Sequence, residues 1–154
     1  HPDIHLSGGV AAVEYFTRST IDELITGATA QSNAMWPVID RVTRLHLVEK
    51  DPIVFDWWLL DPATISRIDD ARIASVWLTI DDEYLRERER RVNWDFYSRS
   101  PDPELMLDRF MARSVWRNDI AARAADFGLP VIDVTGKAVA DVTAKVLDQI
   151  IVAR

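Results

Sequence analysis

Ile73-Ala74-Ser75-Val76-Trp77-Leu78-Thr79-Ile80-Asp81-Asp82-Glu83 is the stretch that decides the fold. Ile73 to Ile80 is β-branched and apolar, the composition of a strand buried on both faces. Asp81-Asp82 then offers a carboxylate to the free N–H groups that open a helix. A second strand of the same kind stands at Pro130-Val131-Ile132-Asp133-Val134. Between the two, Asp102-Pro103-Glu104 is a helix start with proline at the first helical position. That helix is predicted to run to about Phe127 and to end at Gly128, a residue suited to the left-handed cap. Val139 to Val152 reads as a closing amphipathic helix.

The upstream half extends the same alternation. Asp3-Ile4-His5-Leu6-Ser7 is strand-like and ends at Gly8-Gly9. Thr20 opens a helix, and Glu23 three residues on completes a capping-box pattern. Ile21, Leu24, Ile25 and Ala28 share one face at helical spacing. Pro37 is expected to break or kink this helix after Trp36, with a second segment from about Val38 to Val48. Lys50-Asp51-Pro52 signals a turn. Ile53-Val54-Phe55 follows as a buried strand ending at Asp56-Trp57-Trp58, and Pro62 starts a short helix to about Ile68. Residues 93–102 read as an exposed loop of aromatic, serine and proline residues. The sum is one α/β domain over residues 1–154: a parallel sheet flanked by helices on both faces, with strands near 3–7, 53–57, 73–80 and 130–134.

Composition narrows the function classes. The 154 residues carry 18 basic and 25 acidic side chains, a net charge of −7, which argues against general nucleic-acid affinity. No apolar run approaches the roughly 20 residues of a membrane span, and no signal peptide opens the chain. The absence of cysteine rules out disulfides, thiol catalysis and Cys-ligated zinc, and fits a reducing, cytoplasmic setting.

The basic set is almost all arginine. Only Lys50, Lys137 and Lys145 are lysine. Either arginine codons are favoured throughout, or planar forks are wanted for carboxylate or phosphate. Position has to separate the two. Arg86, Arg88, Arg90 and Arg91 cluster on the helix after Asp82, among Glu83, Glu87 and Glu89, a pattern that also fits a solvated, salt-bridged helix. Arg109, Arg113 and Arg117 are spaced by four on one face of the next long helix, where like charges repel unless acids or an anion intervene. The two sets flank residues 93–102, the arrangement needed to clamp a polyphosphate. Asp56, at the carboxyl end of its expected strand, could hold Mg²⁺, orient a hydroxyl, or simply cap a turn. His5 and His46 lack metal-binding spacing. Trp36 and Trp77 read as core, whereas Trp57, Trp58 and Trp94 are candidates for lining a pocket.

In order, these pieces resemble the P-loop small-molecule kinases, the group of nucleoside monophosphate kinases and 2-phosphoglycerate kinase-like proteins. The resemblance runs through His5–Gly9, Ile53–Trp57, Val76–Glu83 with the Arg86–Arg91 cluster, Asp102 through Arg113, Gly128–Asp133 and Thr135-Gly136-Lys137. It implies an ATP-dependent phosphotransferase that acts on a small-molecule acceptor with Mg²⁺. The acceptor side would be helices 20–48 and the lid about 86–113. Asp56, Arg88 and Arg113 would be catalytic, with Asp56 at the metal. Arg90, Arg91, Arg109, Arg117, Gly136 and Lys137 would bind the nucleotide. The family's phosphate loop, G-x-x-x-x-G-K-[ST], does not occur in this sequence. The resemblance therefore implies an N-terminally shortened chain lacking its first central strand. An upstream segment or another subunit, in a homo-oligomer for example, would fill the gap between the strands ending at Asp56 and beginning at Ile73. The alternative is a non-catalytic kinase-like module for binding or interaction; neither reading calls for a nucleic-acid or membrane partner.

Overall fold

α6, Pro103–Ala122, is the helix around which the chain assembles. The structure is a computed structural model and describes residues 9–152; the strand expected at 3–7 lies outside them. In chain order the other elements are α1 (Gly9–Arg18), α2 (Ile21–Glu49), α3 (Pro62–Ile65), β1 (Trp77–Thr79), α4 (Asp82–Val92), α5 (Trp94–Tyr97), β2 (Val131–Asp133) and α7 (Val139–Val152). α1, α2, α4, α5 and β1 all pack on α6. The fold is mostly helical with a small parallel sheet, and no helix among the described residues is long and apolar enough to cross a membrane.

The caps read from sequence form as expected. Thr20 and Glu23 exchange the two bonds of a capping box at the start of α2. The Asp81 carboxylate accepts the Tyr84 N–H at 2.8 Å, and Asp102 accepts the Leu105 N–H at 3.1 Å. Gly128 closes the 3₁₀ turn Arg123–Phe127 in the left-handed region, φ 70°.

β1 and β2 pair in parallel, with Trp77 opposite Val131, Leu78 opposite Ile132 and Thr79 opposite Asp133. The crossover between them is α4, α5 and α6. Two apolar clusters result. Phe16, Leu24, Leu85, Tyr97, Met106, Leu107 and Met111 join α1, α2, α4, α5 and α6, and Trp77 joins Ala121 and Ala124 beneath the sheet.

Four expectations are corrected. Gly9 opens a helix, α1, where the sequence showed only the end of a turn. α2 runs unbroken through Pro37 to Glu49. Pro37 and Asn33, the residue whose carbonyl loses its intrahelical donor, are both exposed, so water can satisfy that carbonyl, while Ile39 keeps its buried seat. Residues 53–57 form no strand and have no ladder partner among the described residues, and Val54 is 90% exposed. Among the described residues the sheet therefore has two short strands, and residues 53–57 bound no gap in it. Finally, residues 93–102 are docked, not free. Tyr97 is fully buried, and Ser100 bonds Thr17 across 2.9 Å.

Candidate functional site

The arginine ladder of α6 serves three different ends. Arg109 reaches back to α1 and donates Nη1 to the carbonyls of Thr17 and, at 3.2 Å, Phe16. These are orphan carbonyls at a helix C-terminus, and a cation there is favoured by the helix dipole. Arg109 thus holds α1 in place.

Arg113, one turn on, meets rings and no carboxylate. Its guanidinium carbon lies 4.5 Å from the centre of Phe16, 4.6 Å from Trp58 and 5.8 Å from Phe110. Among the described residues nothing accepts a hydrogen bond from it or pairs with its charge. Burial pushes its pKa below the ordinary value; the Tyr15 hydroxyl opposes that, and Arg117 adds to the lowering. Arg117 is likewise half-buried and without a hydrogen bond or ion pair among the described residues. Its pKa is also lowered by burial, with Asp82 acting the other way.

Next to Arg117, Asn118 ties α6 to the carboxyl end of β1. Its Nδ2 donates to Ile80 O at 2.8 Å and to Asp82 Oδ1 at 2.7 Å. Those two acceptors fix the amide's orientation and leave Oδ1 as a buried acceptor with no donor. Arg117, near Asp82, and this unfilled acceptor thus adjoin the end of β1, where open α/β sheets place their ligands, while Arg113 lies among its rings one turn earlier on α6.

The α4 arginines are mostly engaged. Arg86 pairs with Asp108 at 2.6 Å, Arg90 with Glu104 at 2.8 Å, and Arg88 stands 3.8 Å from Glu89. The salt-bridged reading of this helix describes those three, and Arg91 is exposed. At the end of β2, Lys137 donates to Asp133 O and to Asp133 Oδ2 at 3.2 Å. The Thr135 hydroxyl and N–H, then Lys137, hold the Asp133 carboxyl down at about 2. Gly136 takes φ 64° in that turn. A cleft of about 350 Å³ opens beside it, between β2 and α7, with Lys145 and Asp148 on its rim.

Asp56 is exposed on a segment that belongs to no strand. Among the described residues no three His, Cys, Asp or Glu side chains converge on a common point, so no all-protein metal cage is built among them. The four-residue arginine spacing was visible in the sequence and so was Trp58 as a pocket candidate. Phe16, Tyr15 and Asn118 were not, because only the packing of α1 and β1 on α6 brings them there. No family model, no curated protein and no solved structure matches the chain.

Proposed function

We propose that the chain belongs to an ATP-dependent phosphotransferase, a kinase, with Arg113 and Arg117 holding phosphate oxygens while a phosphoryl group passes to a small-molecule acceptor. The observation that carries this reading is a pair of half-buried guanidinium groups without a hydrogen bond or ion pair among the described residues: Arg113 lies among rings, and Arg117 has only the more distant charge of Asp82. Burying a charge is costly unless it is paired, and a dianionic phosphate supplies the pairing from outside. Arginine offers it two parallel N–H donors, and donors fixed in advance stabilise charge spreading over the oxygens without reorganising.

In this reading ATP is the phosphoryl donor, bound with its Mg²⁺. The P-loop lysine and hydroxyl would have to be supplied from outside these 154 residues, and no step is routed through Asp56. A second reading, a phosphate-binding module without turnover, is favoured by the ion pairs that already occupy Arg86 and Arg90.

Titration calorimetry with ATP and with pyrophosphate, beside an assay for phosphoryl transfer in the full-length protein, separates the readings. Arg113→Lys keeps the charge and loses the fork, so turnover should fall on the order of 10²-fold with the circular dichroism spectrum unchanged. Binding without turnover selects the module. Wild-type affinity and turnover in both Arg113→Lys and Arg117→Lys would refute the assignment.

A further inference from the structure

Arg113 is held by rings from three separate parts of the chain, and one of them stands apart. Phe16 belongs to α1 and Phe110 to α6 itself, so both are placed by helices. Trp58 lies in the irregular stretch between α2 and α3. That stretch is nevertheless pinned on both sides of the indole. Leu60 N–H closes a turn onto Trp57 O, Leu59 is 3% exposed, and Leu59 O accepts the Ser32 hydroxyl at 2.9 Å. Asp61 then caps α3 by accepting the Thr64 N–H at 2.9 Å. A ring so anchored, 4.6 Å from a guanidinium carbon, does more than cover apolar surface.

We infer that Trp58 is a positioning residue for an oxyanion site: it holds the Arg113 guanidinium so that the in-plane N–H fork is set before a phosphate or pyrophosphate group arrives. This rests on the anion-binding role proposed above for Arg113. A free arginine side chain must give up rotamer freedom when it binds, and fixing it beforehand removes that cost from the binding step. An aromatic face does this without consuming a donor. A carboxylate would fix the side chain equally well but would occupy the fork and cancel the charge. Of the three rings on Arg113, Trp58 alone comes from the α2–α3 connection. Trp58 thus ties the segment after α2 to the phosphate-binding end of the site, a link that nothing in the sequence spacing of residues 58 and 113 suggests.

Pyrophosphate is the probe. Its affinity is measured by calorimetry on wild type, Trp58→Phe, Trp58→Leu and Arg113→Lys. The Arg113 Nε–Hε resonance, identified by its loss in Arg113→Lys, is followed by NMR in the same proteins. Trp58→Leu keeps apolar bulk and removes the π face, so binding should weaken roughly tenfold; Trp58→Phe should restore most of it. The Arg113 resonance should be ring-current shifted in wild type and should move toward the free-arginine position in Trp58→Leu. If wild type and Trp58→Leu bind pyrophosphate equally while Arg113→Lys does not, the positioning role is overturned and the anion site stands. If wild type binds no pyrophosphate, the anion site itself fails and the inference fails with it. Should Trp58→Leu not fold, Trp58→Phe decides: an Arg113 resonance that moves when indole is replaced by phenyl supports the inference, and one left unmoved, set by Phe16 and Phe110 alone, overturns it.

Discussion

Removing a single hydroxyl from the core should cost this protein several degrees of thermal stability. Glu89 on α4 is 5% exposed, and its Oε2 accepts both the Tyr97 hydroxyl at 2.9 Å and the Asn93 amide at 2.7 Å. Tyr97→Phe deletes one of the two donors and leaves the buried carboxylate short of a partner. The ring stays, with its edge-on contacts to Phe96 at 5.4 Å and Phe110 at 5.8 Å, so no cavity larger than the hydroxyl opens. A hydrogen bond to a charged group contributes about 1.5–3 kcal/mol. In a chain of this length each kcal/mol moves Tm by about 2–4 °C, so the expected loss is roughly 3–12 °C. A second readout comes from pH. Burial, then the bond to Glu89, raises the Tyr97 hydroxyl above its ordinary value of 10.0, with Arg113 pulling weakly the other way. The folded chain keeps this proton where the unfolded chain loses it. The contribution is therefore complete below pH 10 and declines as pH rises above it. Tyr15, whose hydroxyl burial also raises, adds a smaller decline of the same sign. Thermal melts by circular dichroism from pH 7 to 11 measure both effects. An unchanged Tm in Tyr97→Phe, together with an alkaline slope equal to wild type, would show that the Glu89–Tyr97 bond does not stabilise the fold.

Two further outcomes follow from close contacts. A Cβ at Gly27 would sit 2.7 Å from the Tyr15 hydroxyl oxygen and 3.8 Å from the next ring atom. Gly27→Ala should therefore fail to stabilise α2 in wild type, yet should add about 1 kcal/mol, by urea titration, in a Tyr15→Phe background; equal effects in both would remove the steric argument. The Asp133 carboxyl, held at about 2 mainly by the Thr135 hydroxyl, has a folded pKa below the ordinary 3.8. Its contribution is present above pH 3.8 and is lost as pH falls toward 2. Acid-induced unfolding of Asp133→Asn should accordingly show a shallower limb in that window. The share due to Asp70, which Arg72 holds at about 2, should remain. A limb identical to wild type would count against the Thr135–Lys137 clasp.

How much was legible in advance divides by range. The capping residues Thr20, Asp81 and Asp102 declared their helices because a cap bonds N–H groups only two or three residues away. The strands around Trp77 and Ile132 were legible for a related reason, although of the run 73–80 only Trp77–Thr79 pairs and Leu78 is exposed, so this strand is not buried on both faces. Their apolar runs are followed directly by a cap or a turn, and each found the other as a parallel neighbour. Ile53-Val54-Phe55 carries the same kind of run and pairs with no strand among the described residues, because strand formation needs a partner and the run itself says nothing about whether one exists. Pro37 misled in the other direction, since the cost of a proline in a helix depends on whether the freed carbonyl faces water.

The site divides in the same way. The sequence by itself determined that α6 presents a guanidinium every fourth residue, because helical periodicity is local. It could not assign them: one caps α1, one sits among rings, and one lies near Asp82. Which fate each arginine meets depends on where α1, the α2–α3 connection and the end of β1 come to rest on α6. Those contacts join residues some 35 to 100 positions apart in the chain and are fixed by burial of Phe16, Tyr97 and Met106 in one core. Local bonding wrote the elements, and only packing decided which charges were left unpaired.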